Sequence, residues 1–470
     1  MFRLLLQPSY WIFSGSSKRW LLILLGAMTV WGIVDVRRRG YLCPERPWEH
    51  RTDLTVYTEA GAAFFDGRAP YEVANARGWT YLYPPLFAML LAPLHVLAPQ
   101  NQVLVWFFIS LLFCWGCCLE LRRLMHLVCE EEDQVAAAWS RWAYWLTAAT
   151  IIVALLPTLN CLQRGQVGVV KAYLLLLGLR VTLAGRTRVG WFLGGLILAA
   201  PIVLKIVPAL PVAFLLFLQL VLSTTRSWKP WVPRGRFGVQ TLGVFAGLAL
   251  FFFVVPAALI GWEANCRHLR TWSEFMLTKA DDGGMDPKSG NSRSVRNQSL
   301  NNAAYRLGNF AAYSWLGGPS DQLVEEFGAP RMAMDSEAAE RMLFLVRALL
   351  LLTLLAFGVR LMRDGGTKLD LAVGYSLACV AMLIVSPVAR GHYFLLVAPA
   401  VLFVPLWFLR SGRPRVGLTL AALPPLLLLM HYVLLSSAGR IGLLGLGIAV
   451  WWMAAVVLMV RSQGGKTAGA

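Results

Sequence analysis

Apolar residues run along this chain in long, nearly unbroken stretches. Segments 20–36, 103–121, 237–260 and 433–460 are dominated by Leu, Val, Ala, Phe and Trp. A globular helix would keep its apolar residues to one stripe, and a half-buried strand would alternate them. These runs do neither, and each approaches or exceeds the roughly 20 residues that a helix needs to cross the hydrocarbon core. The pattern predicts an all-α polytopic membrane protein, since a helix satisfies its own backbone in lipid. About 11–13 transmembrane or re-entrant helices fit into the length. Residues 1–470 are read as a single integral membrane domain, with 20–36 a retained first helix and no cleavage site after it.

The polar breaks give a topology. Lys18-Arg19, Arg122-Arg123 with Arg141, Arg186 with Arg188, the stretch from Arg226 to Arg236, that from Arg360 to Lys368, that from Arg410 to Arg415, and Arg461 with Lys466 lie at the ends of apolar runs. Basic residues there mark the cytoplasmic side. The intervening segments 37–80, 158–167, 261–340, 386–392 and 436–440 then face outward, and both termini face inward. The two larger outer loops are 37–80 and 261–340. Arg37-Arg38-Arg39 runs against this rule. With 37–80 outside and Arg122 inside, only one crossing fits between them, yet 82–98 and 102–121 are both apolar. The first carries Pro84, Pro85, Pro93 and Pro99. Each proline removes a helix donor, so 82–98 is expected to be broken or re-entrant. The alternative is an ordinary short helix, with 122–140 moved outside. Segment 190–222 is interrupted by Pro201, Pro208 and Pro211, and a break is expected near Lys205.

Composition narrows the function classes. Of the 470 residues 57% are hydrophobic and 14% charged, with a mean hydropathy of +0.59. The formal charge of +18 would suit a nucleic acid if it were gathered in one patch. It is spread over loop ends, and no nucleic-acid-binding signature is present, so no nucleic-acid partner is expected. Cys114-Trp-Gly-Cys117 has the form of a redox or zinc motif, but it lies within an apolar run and reads as packing. A disulfide among Cys43, Cys161 and Cys266 is left open by the sequence. No Gly-rich phosphate cradle, no Asp-x-Asp pair and no metal-ligand spacing is found. Neither a nucleotide-dependent activity nor an obligatory metal is expected.

Several polar residues remain beside the membrane. Asp53 opens Asp53-Leu-Thr-Val-Tyr57-Thr-Glu59, which runs on to Tyr81-Leu-Tyr83-Pro84-Pro85. A carboxylate there can take a proton from an attacking hydroxyl, or it can cap a surface helix. Glu59 and Asp66 offer weaker versions of the same chemistry, and Asp66-Gly67 also reads as a turn. Lys205, inside an apolar run, either faces a cavity or snorkels to an interface. Arg390 and His392, Arg164-Gly165-Gln166, and Arg306 after Asn297-Gln298 carry donors suited to phosphate. Helix caps and interfacial anchors use the same residue types. These groups fall on the same expected face as Asp53.

These segments together resemble glycosyltransferase family 87, the polyprenyl-phosphate-mannose-dependent mannosyltransferases of the GT-C membrane fold. The resemblance runs from about residue 20 to 410. It rests on Asp53 to Tyr71 with Tyr83-Pro84-Pro85-Leu86, Gly165-Gln166-Val167, Lys205-Ile-Val-Pro208, Asn297-Gln298-Ser299-Leu300 with Arg306, and Ser386-Pro387 with His392-Tyr393. Val167-Gly168 stands where the family often has Asn, and Arg390-Gly391 where it often has an aromatic residue before His. The resemblance implies a GT-C helical bundle in a bacterial plasma membrane, with its site facing outward. It implies transfer of a hexose, mannose first, from a polyprenyl-phosphate sugar to a hydroxyl of a glycolipid or glycan acceptor, with inversion. Asp53 would be the general base. His392, Lys205, Arg306 and Arg390 would hold the donor phosphate, and Tyr57, Glu59, Tyr83, Gln166, Asn297 and Gln298 would contact sugar or acceptor. A phosphomonoester leaving group held by cations needs no obligatory metal. Two other classes use similar surfaces. One is a transporter or flippase of lipid-linked sugars, which would often show matched halves. The other is a polymerase or ligase working on a pyrophosphate-linked donor.

Overall fold

The computed structural model describes residues 15–40, 52–75, 80–224, 235–281, 297–300, 303, 336–363, 366–434 and 442–467. Among these the regular structure is helical, joined by isolated β-bridges at Ala74–Thr80 and Asn297–Arg390. The first part of the chain forms α1 (Gly15–Gly40), α2 (Leu54–Phe65), α3 (Pro85–Leu91), α4 (Pro99–Cys129), α5 (Asp133–Arg164) and α6 (Gly168–Ala184). Next come α7 (Arg188–Leu204), α8 (Ala209–Thr224), α9 (Arg236–Ala249), α10 (Val255–Ile260) and α11 (Trp262–Asp281). The last part forms α12 (Ser336–Arg363), α13 (Lys368–Val385), α14 (Ala398–Arg410), α15 (Pro414–Val433) and α16 (Leu443–Thr467). Eight of the described helices are long and apolar enough to cross a membrane, and four shorter apolar helices lie in α1, α3, α7 and α8. The protein is an all-α, multi-pass integral membrane protein, and these helices agree with the 11–13 spanning or re-entrant segments expected.

Proline sets the breaks. Pro85 is the first residue of α3, where its missing N–H costs nothing. Pro93 stops the α-helical ladder after seven residues, and Ala92–Val96 continues as a 3₁₀ turn. The two pieces rise about 20 Å together, short of the roughly 30 Å hydrocarbon core. Segment 82–98 is therefore a broken apolar helix, with its break where the prolines place it. In the second interrupted segment α7 ends at Leu204, and Lys205 turns extended at φ −165° and ψ 125°. Val207 precedes Pro208, a position that disfavours helix. The expected break falls at Lys205.

The chain divides into two compact units. The first comprises residues 1–148, 157–212 and 229–276, and the second 149–156, 213–228 and 277–470. In the first unit α4 packs on α1 and α6, α6 on α7, α7 on α9, and α2 on α3. In the second, α12 through α16 pack in sequence order. Residues 368–385 and 391–410 form the centre of that unit, 89% and 94% buried, while α12 presents most of its apolar surface outward, 22% buried. Buried carboxylates tie helices together inside each unit. Glu120 of α4 meets Arg123 at 2.6 Å and also Arg180 of α6. Asp370 closes a capping box with Thr367 and accepts the Trp407 indole N–H at 2.8 Å. Cys161 and Cys266 are free thiols, and Cys43 lies outside the described residues.

Candidate functional site

Asp53 stands at the start of α2, and its surroundings follow from the way α5 ends. Gly165 takes the left-handed conformation at φ +65°. Its N–H donates to the Leu162 carbonyl at 3.3 Å, and the Gln166 N–H reaches back to the Cys161 carbonyl at 3.0 Å. This is a Schellman ending, which favours glycine because a side chain in the left-handed region is strained. A Cβ added at Gly165 would also lie 3.0 Å from the Leu54 Cβ. The Arg164 carbonyl, left over by the ending, accepts the Asp53 N–H at 2.9 Å. The end of α5 and the start of α2 are thus joined by backbone.

The Asp53 side chain does not cap α2. The residue is itself in helical conformation, and its carboxylate makes no cap hydrogen bond. Its Oδ2 instead accepts from the Gln166 amide Nε2, 113 residues away in sequence, and lies 4.0 Å from the Arg164 guanidinium. The capping reading of the sequence is therefore not the local geometry. One turn along α2, the Tyr57 hydroxyl donates to Gln166 Oε1 at 3.3 Å. Tyr57 and Tyr83 hydroxyls are also 3.3 Å apart. The Tyr57 proton is committed to the amide, so Tyr83 is the donor of that second bond. The Lys205 Nζ lies 5.4 Å from the centre of the Tyr83 ring. Asp53, Gln166, Tyr57, Tyr83 and Lys205 form one connected group within the first unit, and all but Lys205 are at least nine-tenths buried.

Tyr81 holds this group from below and had no role in the sequence reading beyond its place in the loop. The Tyr81 side chain reaches the first turn of α3. Its hydroxyl donates to the Pro84 carbonyl at 2.7 Å and accepts the Ala88 N–H at 3.1 Å. Burial, reinforced by neighbouring Tyr71, pushes the Tyr81 phenol well up, so it stays a neutral hydroxyl. Tyr81→Phe removes both bonds of this buried hydroxyl, and the expected loss is about 1–3 kcal/mol. A lower unfolding midpoint of the purified variant in detergent checks this, and an unchanged midpoint refutes it. The backbones of α2 and α3 touch at Gly61, where an added Cβ would be 2.9 Å from Ala92 N.

Other expected residues lie elsewhere. The Glu59 carboxylate pairs with His95 of the 3₁₀ turn at 3.1 Å, away from Gln166. Asp66 pairs with Arg68 at 3.0 Å beside the positive-φ Gly67, which is the turn the dipeptide suggests. Thr58 donates to Gln102 at 3.0 Å, and Gln102 donates to the Leu97 carbonyl at 2.9 Å, pinning the half-helix to α2 and α4. His95 and Gln102 were not singled out from sequence. Their signal was a polar residue inside an apolar, proline-broken segment.

In the second unit Asn297 bridges to Arg390. Asn297 Oδ1 accepts the Ala389 N–H at 3.0 Å, and the Gln298 N–H donates to the Ala389 carbonyl at 2.6 Å. This clamp joins segment 297–299 to 386–390 and brings Asn297, Gln298 and Arg390 together. His392 follows in the 3₁₀ turn Gly391–Val397, buried, with its ring edge-on to Tyr393 at 4.5 Å. Arg306 lies outside the described residues. Among the described residues no group of three or more His, Cys, Asp or Glu side chains is close enough to hold a metal ion.

A family model described as "Glycosyltransferase family 87" matches residues 81–387, which include Tyr83, Gln166, Lys205, Asn297 and Gln298. The chain belongs to glycosyltransferase family 87. It is a membrane glycosyltransferase, which leaves the transporter reading without support. Asp53 and Tyr57 precede the matched residues of the family 87 model. Over 434 residues this family 87 chain is 26% identical to a "Polyprenol-phosphate-mannose-dependent alpha-(1-2)-phosphatidylinositol mannoside mannosyltransferase" of Mycolicibacterium smegmatis (strain ATCC 700084 / mc(2)155). That covers 87% of this chain and 83% of the relative. No solved structure matches the chain.

Proposed function

We propose that this family 87 enzyme transfers a mannosyl group from polyprenyl-phosphate mannose to a hydroxyl of a glycolipid or glycan acceptor, with inversion. The reaction would take place at the outer face of a bacterial plasma membrane. The observation that carries the reading is the Asp53 carboxylate, which is buried, withdrawn from capping α2 and oriented by Gln166 beside two tyrosine hydroxyls. Such a carboxylate takes the proton of the acceptor hydroxyl as that oxygen attacks the anomeric carbon. The bond from that carbon to the phosphate oxygen breaks, and its electron pair leaves on the polyprenyl phosphate. Lys205 is assigned to that phosphate. Cations aimed at the departing phosphate stabilise the charge that develops there. No metal is needed for this step. Tyr57 and Tyr83 are assigned to sugar or acceptor, and Glu59, already paired with His95, to shaping that surface.

The relative's printed name supports the donor and an inositol-linked acceptor. Purified protein should transfer radiolabelled mannose from polyprenyl-phosphate mannose to an extracted glycolipid fraction, without added divalent cation and in the presence of EDTA. Transfer from polyprenyl-pyrophosphate sugar or from nucleotide-linked mannose, but not from the phosphate-linked donor, would refute the reading.

A further inference from the structure

The side-chain amide of Gln166 is held at both ends by the protein, with one bond from its nitrogen and one to its oxygen. A carboxylate only accepts, so the amide nitrogen faces Asp53 Oδ2, and the oxygen faces the Tyr57 hydroxyl. The amide therefore has one orientation. Its backbone is equally constrained, because the left-handed Gly165 and the 3.0 Å bond from the Gln166 N–H to Cys161 fix the ending of α5. In many Schellman endings the residue at this position makes an apolar contact back to the helix. Here that position carries an amide spanning to another helix. The Arg164 guanidinium also approaches Oδ2, at 4.0 Å. Among the described residues no hydrogen bond reaches Asp53 Oδ1.

We infer that Gln166 is the positioning residue for the base, holding Asp53 Oδ2 so that Oδ1 alone is presented to the acceptor hydroxyl, and is not itself a sugar contact. This rests on the assignment of Asp53 as the base. During transfer Oδ1 takes the hydroxyl proton, the acceptor oxygen bonds to the anomeric carbon, and the phosphate oxygen leaves with the electron pair of the broken bond. Gln166 keeps its bond to Oδ2 throughout, because a protonated carboxyl still accepts at its other oxygen. Without the amide the carboxylate can rotate about its terminal torsion, and misplacement on the order of 1 Å costs about 10²-fold in rate.

Four full-length proteins test this: wild type, Asp53→Asn, Gln166→Leu and the double variant, under single-turnover and steady-state conditions with polyprenyl-phosphate mannose and glycolipid acceptor. Gln166→Leu is expected to lower kcat by about 10–100-fold, with both KM values within about twofold of wild type. In the Asp53→Asn background the same change is expected to cost less than about threefold, because residues acting as one unit are not additive. Equal losses in both backgrounds, or a raised KM for either substrate with kcat kept, would make Gln166 a substrate contact and overturn the inference. Rapid transfer by Asp53→Asn itself would remove the base assignment, and the inference with it, a result distinguishable from the others. Gln166→Glu supplies a second readout should Gln166→Leu fold poorly. A second carboxylate against Asp53 should move the acidic limb of the pH profile of kcat/KM to higher pH, since like charges favour protonation. An unmoved acidic limb would contradict the contact.

Discussion

Asp53→Asn is expected to fold and insert normally, to bind polyprenyl-phosphate mannose, and to transfer the sugar 10²–10⁴-fold more slowly than wild type, the usual range for loss of a general base. The structure sharpens this expectation on the stability side. An asparagine oxygen still accepts from the Gln166 amide, which retains the bond between the end of α5 and α2. No helix cap is lost, because Asp53 makes none. The backbone bond from residue 53 to the Arg164 carbonyl does not depend on the side chain. Arg164 loses a charged neighbour at 4.0 Å, but its side chain is 19% exposed and can be hydrated. The unfolding midpoint in detergent should therefore stay close to that of the parent while turnover collapses. Transfer rates of purified Asp53→Asn near those of wild type would return Asp53 to a structural role. Glu59 would be a poor substitute for it, because its carboxylate is already paired with His95.

Lys205→Met carries the second large effect. Methionine keeps an unbranched, apolar side chain and removes the ammonium. The KM or Kd for polyprenyl-phosphate mannose should rise about tenfold or more, the worth of a charge-assisted hydrogen bond to phosphate of about 1.5–3 kcal/mol. Folding should survive, because Lys205 occupies the break between α7 and α8, where its extended backbone is set by Pro208 and the end of α7, not by its side chain. The competing role is a staple onto the Tyr83 ring at 5.4 Å, worth about 0.5–1 kcal/mol at a partly exposed site. A staple predicts a small fall in stability with donor affinity unchanged. Titration of purified Lys205→Met with the donor separates the two, and unchanged affinity would remove Lys205 from the phosphate site.

Much of the architecture was legible because lipid leaves a chain few choices. Backbone groups in hydrocarbon must be satisfied within the segment, so long apolar runs can only be helices. Proline acts locally, through a missing N–H and a clash with the preceding residue. Hence the break at Lys205 and the half-helix at 85–96 could be placed from sequence. The short segments Asp53 to Tyr71, Gly165-Gln166 and Lys205 to Pro208 also marked out the residues that cluster in the first unit.

Tertiary structure decided what those residues touch. Sequence left Asp53 open between cap and base, because aspartate at the start of a helix suits both. The contact that draws the carboxylate away from the helix end comes from Gln166, 113 positions away, and no local pattern encodes it. Glu59 and Asp53 looked alike in sequence. Their fates diverged because His95, delivered by the 3₁₀ turn after Pro93, claims one carboxylate, while the Schellman ending of α5 delivers an amide to the other. Tyr81 meets the first turn of α3 through its hydroxyl, a contact with the Pro84 carbonyl and the Ala88 N–H that only the folded loop supplies. Local sequence thus determined where the helices run and where they break, through backbone hydrogen bonding in lipid. Long-range packing determined which polar side chains share a hydrogen bond, because each has several chemically equivalent partners and only the fold brings one of them within 3 Å or so.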